Sequence, residues 1–275
     1  MDYLLYNGNM VPVEEFNPGS HWLTPGFSLK EKMWFANGEI PFFMAHMESL
    51  EKILKVARRS WPDQIPPPDE LLRLSRRLIN KNKAFMGGWL GMEFLFTPRT
   101  VAYLATVEPF PSRTFPFDPE GKSATLSPYV KFSGNPNAGF PFYSRTLWEA
   151  EAFRTADGTP GESLFLNEKG VVTEATGANI FLILKNTILT PSAETGCITD
   201  VIRERILWSA SQTGFRVMES DKITPDQLGG CEELFLASEG RGFTWIAAME
   251  NHRFVKTKAA LIWKKFCKDA FPAVS

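Results

Sequence analysis

The stretch whose reading decides the fold is Leu164-Phe165-Leu166-Asn167-Glu168-Lys169-Gly170-Val171-Val172-Thr173-Glu174-Ala175-Thr176-Gly177-Ala178-Asn179-Ile180-Phe181. Two apolar runs, Ser163–Asn167 and Val171–Glu174, flank a polar, glycine-bearing turn and read as a strand pair. A second pair comes next, Asn179–Leu184 and Thr187–Thr190, turning at Lys185-Asn186. Beyond it the spacing predicts a helix over Thr199–Thr213, closed by Gly214 where a left-handed residue suits. Thr224-Pro225 opens a short helix through a capping threonine and an N1 proline. Glu233–Ala237 reads as a strand, and Lys258–Ala270 as a terminal helix with Leu261, Ile262, Trp263 and Phe266 inward. Just upstream of the quoted stretch a helix is expected around Arg145–Thr155.

The first half repeats the mixture. Tyr3–Tyr6, Asn7-Gly8 and Met10–Val13 read as a hairpin, and Met33–Phe35, Asn37-Gly38 and Ile40–Phe43 as another. A helix from Ala45 to Arg59 carries Met47, Leu50, Ile53, Leu54 and Ala57 at helical spacing. Asp69 caps a second helix with Leu71, Leu72, Leu78 and Ile79, and two long strands come after it, Phe85–Phe96 and Thr100–Glu108. The run PFPSRTFPFDPEGK, Pro109–Lys122, is rich in proline and reads as a linker. The expected organisation is an N-terminal α/β domain over 1–108, a linker over 109–122 and a C-terminal α/β domain over 123–275. Neither G-x-G-x-x-G nor G-x-x-x-x-G-K-[ST] occurs, so a doubly wound nucleotide fold is not supported.

Composition narrows the function classes. The chain has 275 residues, 30 basic and 31 acidic, for a net charge of −1, which argues against a nucleic-acid or polybasic membrane binder. With 23 Phe and 8 Trp it is not a disordered chain. Cys197, Cys231 and Cys267 are far apart and read as thiols of a reducing, cytoplasmic protein, with no signal peptide or spanning run. His21, His46 and His252 show no metal-ligand spacing, so no metal site is expected.

The quoted stretch resembles the signature of the class IV aminotransferases, the fold-type IV family that uses pyridoxal phosphate (PLP). That family includes branched-chain aminotransferase, D-amino-acid transaminase and 4-amino-4-deoxychorismate lyase. Asn37–Pro41, His46–Leu50, Leu189–Pro191, Gly196–Arg203 and Ala237–Trp245 resemble further landmarks in the right order. The resemblance implies an α/β (α+β) two-domain architecture, a site in the interdomain cleft and a homodimer. It also implies a carboxylate for the cofactor ring nitrogen at Glu174 and a structural histidine at His46.

Other family positions are altered. The Schiff-base lysine aligns with Pro141, which has neither a side-chain amine nor an N–H. Ser144 and Arg145 stand where the family has Asn and then Tyr or Arg. Phe132–Glu168 contains no lysine, and Lys131 is ten residues too early, about 33 Å along an extended strand. Ser49 replaces the phosphate-binding arginine, and Asp200 a glycine ahead of Val201 and Ile202. Glu239 comes after Ser238 where the family has a small residue. The implied reading is a family member that takes no cofactor and has lost PLP catalysis, binding a small anionic or zwitterionic ligand. The alternative is an active aminotransferase or lyase with a relocated amine such as Lys30, which shares a strand face with Lys32.

Overall fold

The structure is a computed structural model that describes residues 2–17, 26–56, 59–98, 100–156 and 161–271. His21 and Ala57 lie outside the described residues. The chain forms two compact units, Met1–Phe115 and Pro116–Ser275.

In the first unit, β1 (Tyr3–Tyr6) and β2 (Asn9–Pro12) make the expected hairpin. Asn7 and Gly8 both have positive φ, 44° and 87°, as the tight two-residue turn requires. Asn37-Gly38 turns the same way after β3 (Phe27–Ala36), but the chain then enters α1 (Phe43–Val56) instead of returning as a strand. Pro41 offers no ladder N–H, and β3 pairs β4 (Gly87–Phe96) in unbroken register. α2 (Pro68–Lys81) starts at Pro68, so Asp69 lies in its first turn and complements the helix dipole rather than capping. With β5 (Val101–Phe110) the sheet order is β2-β1-β5-β4-β3, antiparallel throughout. α1 buries Met47, Leu50, Ile53 and Leu54, and α2 buries Leu71, Leu78 and Ile79.

The boundary between the two units, Phe115/Pro116, falls within the stretch 109–122, whose residues 111–116 are not strand but whose ends belong to β5 and to the next strand. Pro109 is the penultimate residue of β5, opposite Gly88, where β1 no longer flanks the strand, so a missing N–H is tolerated. β6 (Phe117–Lys131) accepts its prolines by bulging. Asp118 and Lys122 oppose Thr244 and Ile246, which leaves two extra residues around Pro119. The Asp118 carboxylate takes the N–H groups of Glu120 and Gly121 there. A second bulge, between Leu126 and Val130, surrounds Pro128.

The second unit continues with α3 (Pro141–Thr155), β7 (Glu162–Asn167), β8 (Val172–Ala175), β9 (Asn179–Leu184), β10 (Thr187–Pro191) and α4 (Val201–Gln212). Then come β11 (Arg216–Ser220), α5 (Pro225–Gly229), β12 (Glu233–Ser238), β13 (Gly242–Met249), β14 (His252–Arg253) and α6 (Lys258–Ala270). The sheet order is β11-β10-β9-β12-β13-β6-β7-β8, with β14 on β13. It is mixed: β10–β11, β13–β6 and β6–β7 are parallel. Both faces are covered, so its central strands are continuously apolar. Leu164, Val172, Ile180, Leu182, Leu234, Leu236 and Ile246 fill one side. On the other, the rings of Phe181, Phe235 and Phe243 stack 4.9 and 5.4 Å apart and meet Phe266 of α6. α and β elements in both units make the expected mixed α/β fold.

Candidate functional site

The second bulge of β6 places a lysine that its position in the sequence argued against. Lys131 ends the strand opposite Asn167 of β7, fully buried, and its Nζ is 2.5 Å from Glu174 Oε2. The span of about 33 Å assumed an extended chain after Lys131. Residues 132–140 instead fold back. Ser133 donates its N–H and hydroxyl to Glu168, at 2.8 and 2.6 Å, and Thr199 N–H reaches the Gly139 carbonyl at 3.0 Å. Gly196, at φ 80°, lets this loop pack closely, since a Cβ there would stand 2.9 Å from Ser133 Cα.

Glu174, on β8 opposite Phe165, is 1% exposed. Its Oε2 also accepts the Ile198 N–H at 2.9 Å, and its Oε1 the Trp148 indole N–H at 3.0 Å. A buried carboxylate needs such donors to remain ionised. Lys131 has three N–H donors and, among the described residues, the single partner Glu174. Pro141 is the first residue of α3, where its lacking N–H is harmless.

A second group of candidates surrounds Asn179. Its amide donates to Asp200 Oδ1 at 2.8 Å and to the Ala237 carbonyl at 3.5 Å, joining the start of α4 to the end of β12. Asp200 caps α4, taking the Arg203 N–H at 2.9 Å. Val201 and Ile202 come next, buried, with first-turn amides that no helical carbonyl can accept. Ser238, beyond Ala237, has a buried hydroxyl without a partner among the described residues, and Glu239 is 7% exposed. Arg203 is committed to the Pro191 carbonyl and to Glu219, at 2.7 Å each. Arg145 is half-buried in α3 and makes no ion pair with another described residue.

The remaining candidates belong to the first unit. Lys30 is half exposed on β3 and pairs its cross-strand neighbour Glu93 at 3.3 Å. Ser49 is half-buried on α1. His46 is buried, and its Nδ1–H donates to Glu31 at 2.8 Å, a hydrogen bond from α1 to β3. In the second unit, burial raises the Cys197 thiol, whose Sγ donates to the carbonyls of Pro191 and Ser192, so it is no nucleophile at neutral pH. Among the described residues no cluster of His, Cys, Asp and Glu could hold a metal ion, and no helix is long and apolar enough to cross a membrane. Sequence reasoning missed Lys131, Trp148 and the Ile198 amide. Pro128 inside a strand was the available signal, since it marks a bulge that re-aims the residues after it.

The chain resembles known proteins over its whole length. A probable branched-chain-amino-acid aminotransferase of Aquifex aeolicus is 21% identical over 291 residues, covering 100% of this chain and 93% of that protein. The branched-chain aminotransferase of Escherichia coli superposes with a TM-score of 0.83 at 18% identity, covering 100% of this chain and 97% of that one. That of Thermobaculum terrenum, solved in its PLP form, gives 0.82 at 18% identity, covering 98% and 94%. This relationship to PLP-bearing enzymes overturns the expectation that no cofactor is involved. The model of the amino-transferase class IV family matches residues 28–249, most of the chain, and the protein belongs to that family.

Proposed function

We propose that the protein is a PLP-dependent aminotransferase of small zwitterionic amino acids, with Lys131 as its reactive amine and Glu174 as the partner of the cofactor ring nitrogen. The observation that carries this reading is the buried Lys131–Glu174 pair. Loss of catalysis was expected from the missing amine together with Ser49, Asp200 and Glu239 at the phosphate end, and Lys131 answers the first of these grounds.

The residues present fit the cofactor in kind. Lys131 supplies a desolvated amine with two N–H positions unmatched among the described residues, on a flexible stem. Glu174 supplies a carboxylate held by two donors besides Lys131. The phosphate end would rest on the Val201 and Ile202 amides and the Ser238 hydroxyl, which has no partner among the described residues, at the positive end of α4. Asp200 opposes an anion there, so this end holds the cofactor less firmly than its amine end. PLP, when bound, supplies an electron sink for the pair released at the substrate Cα. Lys131 carries the proton between that carbon and its own Nζ. Glu174 would accept the ring N–H and so favour a proton on that nitrogen. The buried setting excludes water from both groups. The relatives' names make branched-chain amino acids the first substrates to assay, and a second copy of the chain belongs to the same reading.

The test is to add PLP, reduce with borohydride and map the modified peptide. The label is expected on Lys131 and is absent from Lys131→Ala. A label on Lys30, or none, overturns the reading.

A further inference from the structure

The acceptor positions of Glu174 are unequally used. Oε1 takes the indole N–H of Trp148, at 3.0 Å. Oε2 takes the Ile198 amide at 2.9 Å and Lys131 at 2.5 Å. Two of these donors are fixed and do not titrate: one rides on α3, and the other is main chain just ahead of α4. Lys131 alone has a flexible stem and, on the reading above, a second task. When it moves, Oε2 keeps one donor and regains one lone pair, while Oε1 stays engaged.

We propose that Trp148 is a positioning residue: its indole N–H fixes the Glu174 carboxylate so that Oε2, vacated by Lys131, is the atom offered to a protonated ring nitrogen. This deepens the proposed function and rests on it. Without the indole bond the Ile198 amide is the single fixed donor left on the carboxylate, and the last torsion, which is soft, is less firmly set.

The experiment compares PLP with its 1-deaza analogue, in which the ring nitrogen is replaced by C–H. Both are titrated into the wild type and Trp148→Phe, which keeps an aromatic ring and loses the N–H. PLP affinity is expected to fall about tenfold or more, the worth of a hydrogen bond to a charged acceptor, while the analogue changes by less than about twofold. Equal losses for both compounds, or no loss for PLP, overturn the proposal. A second measurement needs no cofactor. The Trp148 indole N–H is followed by NMR with 15N-labelled tryptophan in the wild type and Glu174→Gln. Its resonance is expected to shift and its hydrogen exchange to quicken in the variant, and an unchanged indole refutes the clamp. If PLP fails to attach to Lys131, the functional reading falls and this proposal with it; if PLP attaches and the indole is unchanged, or both compounds lose affinity equally, this proposal falls alone.

Discussion

Lys131 and Lys30 are both strand lysines paired with glutamate, and their settings are opposite. Lys131 and Glu174 are 0% and 1% exposed, whereas the side chains of Lys30 and Glu93 are 50% and 25% exposed. Arg154 and Glu151, at 36% and 1%, fall between. Lys30 sits in a regular antiparallel register, so period 2 decides its direction and water reaches its amine. Lys131 comes after a bulge that breaks the period and sends its side chain inward. Whether a strand lysine has chemistry available is decided by how its strand is interrupted, more than by its place in an alignment.

The sharpest way to break this comparison is Glu174→Leu. It strands a buried ammonium and should cost about 3–5 kcal/mol in urea unfolding, with much of the loss recovered in Lys131→Met/Glu174→Leu. A cost no larger than that of a surface pair would erase the distinction. Lys131→Met alone should cost less, about 2 kcal/mol, because Trp148 and Ile198 still satisfy the carboxylate. The same variant should lose the borohydride label entirely.

The intermediate pair gives a pH test. The Arg154 hydrogen bond holds the Glu151 carboxyl below its usual range, helped by Ser163 and Ser127. A lowered native pKa contributes stability above the ordinary glutamate value near 4.3, and this is lost as pH falls through the native value. Glu151→Gln should therefore flatten the acid limb of the stability–pH curve below about pH 4.5. An unaltered limb would place Glu151 with the surface charges. Asp200→Asn keeps the cap on α4 and removes a charge, so it should tighten PLP by a few-fold in a fluorescence titration, about 0.3–1 kcal/mol. The smallest effect is reserved for Lys30→Ala, within about 1 kcal/mol in the same unfolding assay and without change in labelling. A large loss there would reverse the assignment of roles.

These contrasts explain what could be read in advance. Asn7-Gly8, Lys185-Asn186, the strand pairs from Ser163 to Thr190 and the helix over Lys258–Ala270 arise from local turn chemistry and periodicity, and all form. Glu174 was legible because it lies inside a dense motif. β6 was not, because two prolines and a glycine mark it as irregular, and only pairing with the distant strands β13 and β7 makes it a strand. Asn37-Gly38 gave its turn and the periodicity gave the helix beyond it, but the return strand expected over Ile40–Phe43 does not form, since Pro41 prevents a return ladder. Lys131 inherited the fate of β6: with the strand unread, its neighbour across the sheet could not be known.

The parallel pairing of β6 with β13 also has a temporal meaning. Phe117 joins Phe243 across most of the second unit, whereas every strand of the first unit finds its neighbours by Phe110. Long closures form slowly, and a chain made from its N-terminus cannot complete this one until β13 has emerged. During synthesis the five-stranded sheet can assemble while β6 waits with one edge unfilled. The amine of Lys131 needs only β7 and β8 to reach its carboxylate, so a chain that stops short of β13 already carries both partners of the buried pair, on a sheet whose β6 edge is still unfilled.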